Sequence, residues 1–362
     1  MTIVLLVAGF ILLIVGAEAL VRGASKIAAV VGITPLIIGL TVVAFGTSSP
    51  ELAVSLMSSY SGNVDIAVGN VVGSNIFNIL CLIGLTAVVV PLIVAQQLIR
   101  LDVPLLIGIS GLMLLLGWDG AVSRWDGLLL FLLLVGYNVF LIRQSRKEKS
   151  LLVQTQYEIE YGNGHGWGLK EWALQIGMIV AGLLMLVFGS RWLVESATVI
   201  ARQMGVSDLI IGLTVVSAGT SSPEAATWVV SSLRGQRDIV VANAIRSTIF
   251  NILAVLGISA LVAPDGIPVS ASALRFDIPI MIAAAIACLP IFFTYRRINR
   301  AEGAIFLAYY VAYVVYLILQ ATEHNALETF DTAMTWFVMP LTVLTILASV
   351  YQYIRYGRSN RE

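Results

Sequence analysis

The chain has 362 residues, with 21 Lys and Arg balanced by 21 Asp and Glu, and 59% of it is hydrophobic against only 12% charged. A soluble domain carries about 25% charged residues, so a water-soluble fold is excluded. The recurrent apolar runs are long enough to cross a hydrocarbon layer about 30 Å thick, which makes the lipid bilayer the expected partner and nucleic acid not one.

The first apolar run, Ile3 to Val21, lacks a positive n-region and a small-x-small cleavage site before Arg22, so it is expected to be a spanning helix, not a signal peptide. Further candidate spans follow at 29–59, 64–91, 101–118, 124–142, 171–191, 205–233, 238–263, 276–293, 302–320 and 333–354. With the first at 2–21 that is two sets of five and one extra. Spans two, three, seven and eight are long and rich in Gly, Ser and Pro, and are expected to be helices interrupted near their middles, the freed backbone groups facing protein. The polar stretch Arg143 to Lys170 separates the halves and contains His165 in a glycine-rich run. Cys81 and Cys288 both lie in apolar runs and are expected to be buried, with no disulfide. The expected organisation is a first repeat at 1–142, a cytoplasmic linker at 143–170, a second repeat at 171–320 and an extra helix with a basic tail at 321–362.

The halves are copies. Leu36 to Glu51 reads LIIGLTVVAFGTSSPE and Leu209 to Glu224 reads LIIGLTVVSAGTSSPE, so fourteen of sixteen residues recur at an offset of 173. The register extends from Gly16 and Gly189 through Asp65 and Asp238, Asn78 and Asn251, to Pro91 and Pro264. After a two-residue gap Asp102 and Pro104 answer to Asp277 and Pro279. Five spans per copy means that the second enters the membrane from the opposite side. Such inverted repeats are a common basis of secondary transporters, whose sites lie where broken helices of both halves meet.

Basic residues set the expected orientation. Sixteen of the 21 Lys and Arg fall in the loops that share a side with the C-terminus, among them Arg22, Arg100, Arg143, Lys170 and Arg296; only Arg124, Arg191, Arg202 and Arg275 fall opposite. By the positive-inside rule the C-terminus is cytoplasmic and the N-terminus outside, in a multi-pass prokaryotic cell membrane.

In each GTSSPE the proline lacks an N–H and displaces a carbonyl. The hydroxyls of Thr47, Ser48, Thr220 and Ser221 are neutral oxygen donors, and Glu51 and Glu224 add negative charge. A hard cation such as Ca²⁺ takes six to eight oxygens, carboxylates among them, and inversion brings the two breaks face to face. A second layer lies downstream. Ser74 with Asn78, and Ser247 with Asn251, are each four apart on one helix face, and their oxygens suit Na⁺ or an outer Ca²⁺ position. Asn70 and Asn243 are expected to be polar glue between helices.

Two GTSSPE motifs, each followed after 27 residues by the asparagine of an SNIFN-like segment, resemble the alpha repeats of the cation/calcium exchanger superfamily, most of all those of bacterial and archaeal sodium/calcium exchangers. The resemblance covers about residues 1–320. It implies an all-α polytopic membrane protein of ten core helices in inverted five-helix halves, and Na⁺/Ca²⁺ antiport by alternating access. The implied ligands are Thr47, Ser48, Glu51, Ser74 and Asn78 from one half, and Ser217, Thr220, Ser221, Glu224 and Ser247 from the other. Ala44 and Gly73 are implied to contribute backbone carbonyls, and Glu51, Glu224, Thr47 and Thr220 to hold the metal directly. The ions are cargo, and no cofactor is expected.

Three positions depart from the family pattern. Asn251 stands where such exchangers usually have aspartate, Thr248 replaces the asparagine matching Asn75, and Arg246 stands in mid-span where they keep the glycine matching Gly73. An arginine in mid-membrane needs an anion or water, and Glu51 or Glu224 is the expected partner, which would make Arg246 a tethered cation that modulates the site. The residues leave open an H⁺/cation (Ca²⁺) antiporter and a non-transporting relative. An enzyme is not expected, since His165 and His324 are the only histidines and both fall in loops. The eleventh span is free to mediate homo-oligomer contacts or to pack on the core.

Overall fold

In lipid a chain must satisfy its own backbone groups, and short of a closed barrel only helices do so. The computed structural model describes residues 2–30, 48–62, 64–145, 168–221, 224–225, 237–293, 296–324 and 326–340, with single positions at 228, 343, 347 and 351. The helices are α1 (Thr2–Val30), α2 (Ser49–Tyr60), α3 (Val64–Ile76), α4 (Gly84–Val89), α5 (Val103–Leu116), α6 (Arg124–Ser145) and α7 (Leu169–Gln203). They continue with α8 (Asp208–Ile211), α9 (Ser217–Thr220), α10 (Arg237–Phe250), α11 (Gly257–Val262), α12 (Ile278–Phe293), α13 (Arg300–Ala321) and α14 (Ala326–Ala333). Among the described residues eight helical stretches are long and apolar enough to span a membrane, and Leu209–Thr220 forms a shorter apolar one. The chain is an all-α polytopic membrane fold.

Several expected spans change in detail. Spans three and eight are not interrupted: Val64–Val89 and Val240–Val262 run through. Each instead carries a π-helical segment, Phe77–Ile83 and Asn251–Leu256. A π turn absorbs an extra residue in i→i+5 bonds, so the helix changes phase without freeing backbone groups. The duplication preserves a second pair of such segments, at Leu98–Asp102 and Ala273–Asp277. In span seven the expected interruption at residues 222 and 223 lies outside the described residues. Helix α9 ends at Thr220, Ser221 lies in a turn and Glu224 is helical. Helix α7 extends to Gln203, well past the expected span, which places Arg191 and Arg202 on the helix and not in a loop.

The two-fold relation of the halves is written into their closest contacts. A Cβ on Gly9 of α1 would come within 2.8 Å of the Gly189 carbonyl oxygen of α7, and one on Gly16 within 2.9 Å of that of Gly182. Gly182 and Gly189 are the repeat mates of Gly9 and Gly16 (182 − 9 = 189 − 16), so the contact is reciprocal, as an isologous interface requires. Small residues that let backbones touch are the usual adhesive between helices in lipid. The extramembrane ends repeat the pattern. Strand β1 (Leu92–Ile93) pairs antiparallel with β4 (Arg297–Ile298), and β2 (Ala121–Val122) with β3 (Ile267–Pro268). Each clasp joins one half to the other. The loops that each clasp brings together are ones that the inverted order of spans puts on the same side.

Gly182→Leu is expected to force α1 and α7 apart and destabilise the protein by about 1–3 kcal/mol. Gly177→Leu on the same helix, where a Cβ meets nothing within 4 Å, is expected to be neutral. Unfolding midpoints of the two purified variants in detergent check this.

Candidate ion-binding site

The site forms where the two GTSSPE motifs approach each other. Ser48 is the turn residue before α2, Pro50 occupies the first turn of that helix, and Glu51 follows it. That first turn is where a carboxylate is stabilised by the unpaired N–H groups of a helix start. Glu51 and Glu224 are each only 1% exposed. Each accepts a hydrogen bond from a serine of the opposite motif. The Ser221 hydroxyl donates to Glu51 Oε1 at 2.8 Å, and the Ser48 hydroxyl to Glu224 Oε1 at 3.5 Å. The inversion expected from the duplication therefore brings each serine to the other half's glutamate. Glu51 Oε2 accepts no hydrogen bond among the described residues.

Asn70 of α3 fastens this arrangement. Its amide donates to the Glu51 carbonyl at 3.1 Å and to Ser55 Oγ at 2.9 Å. Its Oδ1 accepts from Thr220 Oγ1 at 3.2 Å and Ser74 Oγ at 3.5 Å. With both ends of the amide engaged, Asn70 is a structural tie between α2, α3 and α9, the role its sequence context suggests. Ser217 donates to the Leu213 carbonyl at 2.7 Å, one turn back on its own helix. Ser74, Ser217, Thr220, Ser221 and Ser247 are all buried. Gly73 lies where any Cβ would meet the backbone of Leu213, so α3 passes that segment at backbone contact. Thr47 and Ala44 lie outside the described residues.

The second layer is asymmetric. Asn251 donates its amide to Asn75 Oδ1 at 3.1 Å across the interface of the halves, and Asn75 donates to the Met281 sulfur at 3.3 Å. The two-fold mate of this contact would join Asn78 to residue 248. Here residue 248 is threonine, and its hydroxyl turns back to the Ala244 carbonyl at 2.8 Å. Both amide atoms of Asn78 are thus buried with no partner among the described residues. Asn78 and Asn251 each fall in the π-helical segment of their helix, at its second and first residues.

Arg246 does not reach the glutamates. Its Nη2 lies 3.5 Å from Asp102 Oδ2, and Asp102 also accepts from the Tyr137 hydroxyl at 3.2 Å. The anion expected for it is at the central motifs, but its partner is Asp102 instead. Asp102 comes from the start of the fourth span, fully buried, and takes the guanidinium away from the site. Asp102 and its repeat mate Asp277, also buried, were not among the sequence-derived candidates. The signal that marks them is the duplicated Asp-x-Pro of Asp102, Pro104 and Asp277, Pro279.

Chemically the centre offers two buried carboxylates ringed by hydroxyl and amide oxygens from both halves. This is a donor set for hard cations and not for soft metals. Comparison with known proteins agrees. The family model described as sodium/calcium exchanger protein matches residues 1–143 and 174–319. CaxA of Alkalimonas amylolytica, a candidate antiporter, is 41% identical over 278 residues, covering 75% of this chain and 84% of its own. The sodium/calcium exchanger MaX1 of Methanosarcina acetivorans is 30% identical over 305 residues, covering 76% and 87% of the two chains. A solved structure of the sodium-calcium exchanger NCX_Mj matches with a TM-score of 0.63 at 27% identity, over 87% of this chain and 97% of that one. Fold and site together define a polytopic membrane exchanger of cations including Ca²⁺. The chain belongs to the sodium/calcium exchanger protein family.

Removing the guanidinium leaves Asp102 buried without a counter-charge. Arg246→Gly is expected to cost roughly 3–5 kcal/mol, the usual consequence of breaking one side of a buried pair. Asp102→Asn in the same chain is expected to recover most of it. A double-mutant cycle on thermal unfolding measures the coupling.

Proposed function

We propose that the protein is a secondary antiporter that exchanges Na⁺ for Ca²⁺ across the membrane by alternating access. The observation that carries this reading is the reciprocal crossing of Ser48 to Glu224 and Ser221 to Glu51. It builds one cation site from both inverted halves, so a relative movement of the halves alters the site itself. Two carboxylates match the charge of one Ca²⁺, and the same pair accepts Na⁺ ions in its place. Either load offsets the cost of holding two anions out of water. The uncharged amide of Asn78, with no protein partner among the described residues, adds an oxygen of the hardness both ions prefer. The work is ion binding and movement, without covalent chemistry.

Calcium-45 uptake into proteoliposomes driven by an outward sodium gradient at clamped pH tests the assignment. Wild-type protein is expected to accumulate Ca²⁺. Glu51→Gln and Glu224→Gln are each expected to lower uptake at least tenfold while still folding and inserting. Uptake that ignores the sodium gradient but follows a pH gradient would replace Na⁺ coupling by proton coupling.

We further propose that the C-terminus and the Arg143–Lys170 linker face the cytoplasm, on the strength of the uneven basic loops. In a background with Cys81 and Cys288 replaced by Ala, Ser61→Cys is expected to react with an impermeant thiol reagent added to intact cells. Thr155→Cys is expected to react only after the cells are broken. Labelling of Thr155→Cys in intact cells reverses the orientation.

A further inference from the structure

The duplication supplies an internal comparison outside the central site. In the first half Asp102 accepts from a tyrosine 35 residues downstream, Tyr137 at 3.2 Å. In the second half its mate Asp277 accepts from a tyrosine 36 residues downstream, Tyr313 at 2.8 Å. Both aspartates sit in the duplicated π-helical segments and both are essentially unexposed, at 0% and 1%. They differ in one respect. Asp102 has the guanidinium of Arg246 against it. The position that answers to Arg246 in the other half is Gly73, which has no side chain and whose backbone passes too close to Leu213 to admit one. Asp277 has no cationic partner among the described residues.

A carboxylate buried in a medium of low dielectric is tolerated only when it is paired with positive charge or neutralised. The groups around Asp277 supply no such charge. Tyr313 and Tyr316 of α13 bear on it. The adjacent ring, that of Phe276, stacks on Tyr316 at 4.0 Å and faces Tyr313 at 6.3 Å. Helix α3, which also packs on this segment, holds one titratable residue, Asp65, in its first turn. Arg275, two residues away in the chain, is exposed. Further titratable groups lie toward the surface. Tyr316 is half-buried, Phe330 of α14 leans on its ring at 6.5 Å, and the exposed Asp331 of α14 lies within electrostatic reach of Tyr316. Asp331 and Asp277 thus both act electrostatically on Tyr316.

We propose that Asp277 with Tyr313 is a proton-binding site, separate from the Glu51–Glu224 centre, and that Arg246 is the permanent substitute for that proton at the twin site. On binding, the carboxylate oxygen of Asp277 forms an O–H bond with a proton delivered from water. The O–H bond that breaks is one of hydronium, which leaves as water, and Tyr313 keeps its hydrogen bond to the remaining carbonyl oxygen. One half of the protein therefore carries a fixed counter-charge and the other a removable one. The inference does not depend on which cations the central site exchanges.

Infrared difference spectra of the full chain in lipid nanodiscs, recorded between pH 9 and pH 5, read the protonated carboxyl directly. Asp277→Asn is expected to delete one carboxylic C=O band, while Asp102→Asn leaves every band in place. Tyr313→Phe is expected to move that band to higher frequency without removing it, and serves if Asp277→Asn does not fold. Arg246→Gln is expected to add a second band that Asp102→Asn then removes. Spectra of Asp277→Asn identical to wild type, a band unmoved by Tyr313→Phe, or a wild-type band lost with Asp102→Asn would each overturn the assignment. Because no transported ion enters the measurement, its result stands apart from success or failure of calcium uptake.

Discussion

The structure depends on keeping two carboxylates out of water at the centre of a lipid-soluble protein. Glu51 and Glu224 each accept a hydrogen bond from a serine hydroxyl of the opposite motif. This makes the centre a shared property of the two halves. It also explains why so much polar material, such as the four hydrogen bonds of Asn70, goes into fixing the helix ends that present these groups. In hydrocarbon, an unsatisfied polar group costs several kcal/mol. The atoms of Asn78 and Glu51 that find no protein partner among the described residues are therefore left for an ion or water to satisfy.

Around that centre the fold is held by backbone proximity. The glycines of α1 and α7 each face the partner's carbonyl where a Cβ would stand, and so do Gly84 with Gly303 and Gly127 with Gly257, where α4 meets α13 and α6 meets α11. Between apolar helices in an apolar solvent there is no hydrophobic gain to drive association, so close van der Waals approach takes its place. The same logic accounts for Gly73. Its backbone lies against Leu213, and the loss of a side chain there leaves Asp277 without the partner that Arg246 gives Asp102.

Much of this was legible in the sequence, for identifiable reasons. Duplicated motifs of sixteen residues carry their own evidence, and an odd number of spans per copy dictates inversion. The approach of Glu51 and Glu224 to the opposite motifs follows from those facts together. What escaped was local. The π-helical segments at Phe77–Ile83 and Asn251–Leu256 have no compositional signature that separates them from a broken helix, since glycine and asparagine serve either. The partner of Arg246 escaped because charge pairing across a membrane protein is a matter of which spans adjoin. Asp102 is 144 residues away from it in the chain. Its duplicated Asp-x-Pro context was visible, but nothing in one dimension ties it to the eighth span.

The two short β clasps bear on how such a chain could arise. Strand β3 stands in the second half where β1 stands in the first, and β4 where β2 stands, so β1–β4 and β2–β3 are the same contact made twice. A protein of five helices able to insert in either orientation would form both at once by meeting an upside-down copy of itself. Were the halves separate molecules from one gene, each clasp and each glycine seam would have to serve in duplicate. An arginine at position 246 would then have appeared at position 73 as well, against the backbone of Leu213. A single chain holding both copies is free of that restriction, and a charge present in one half alone is open only to such a chain.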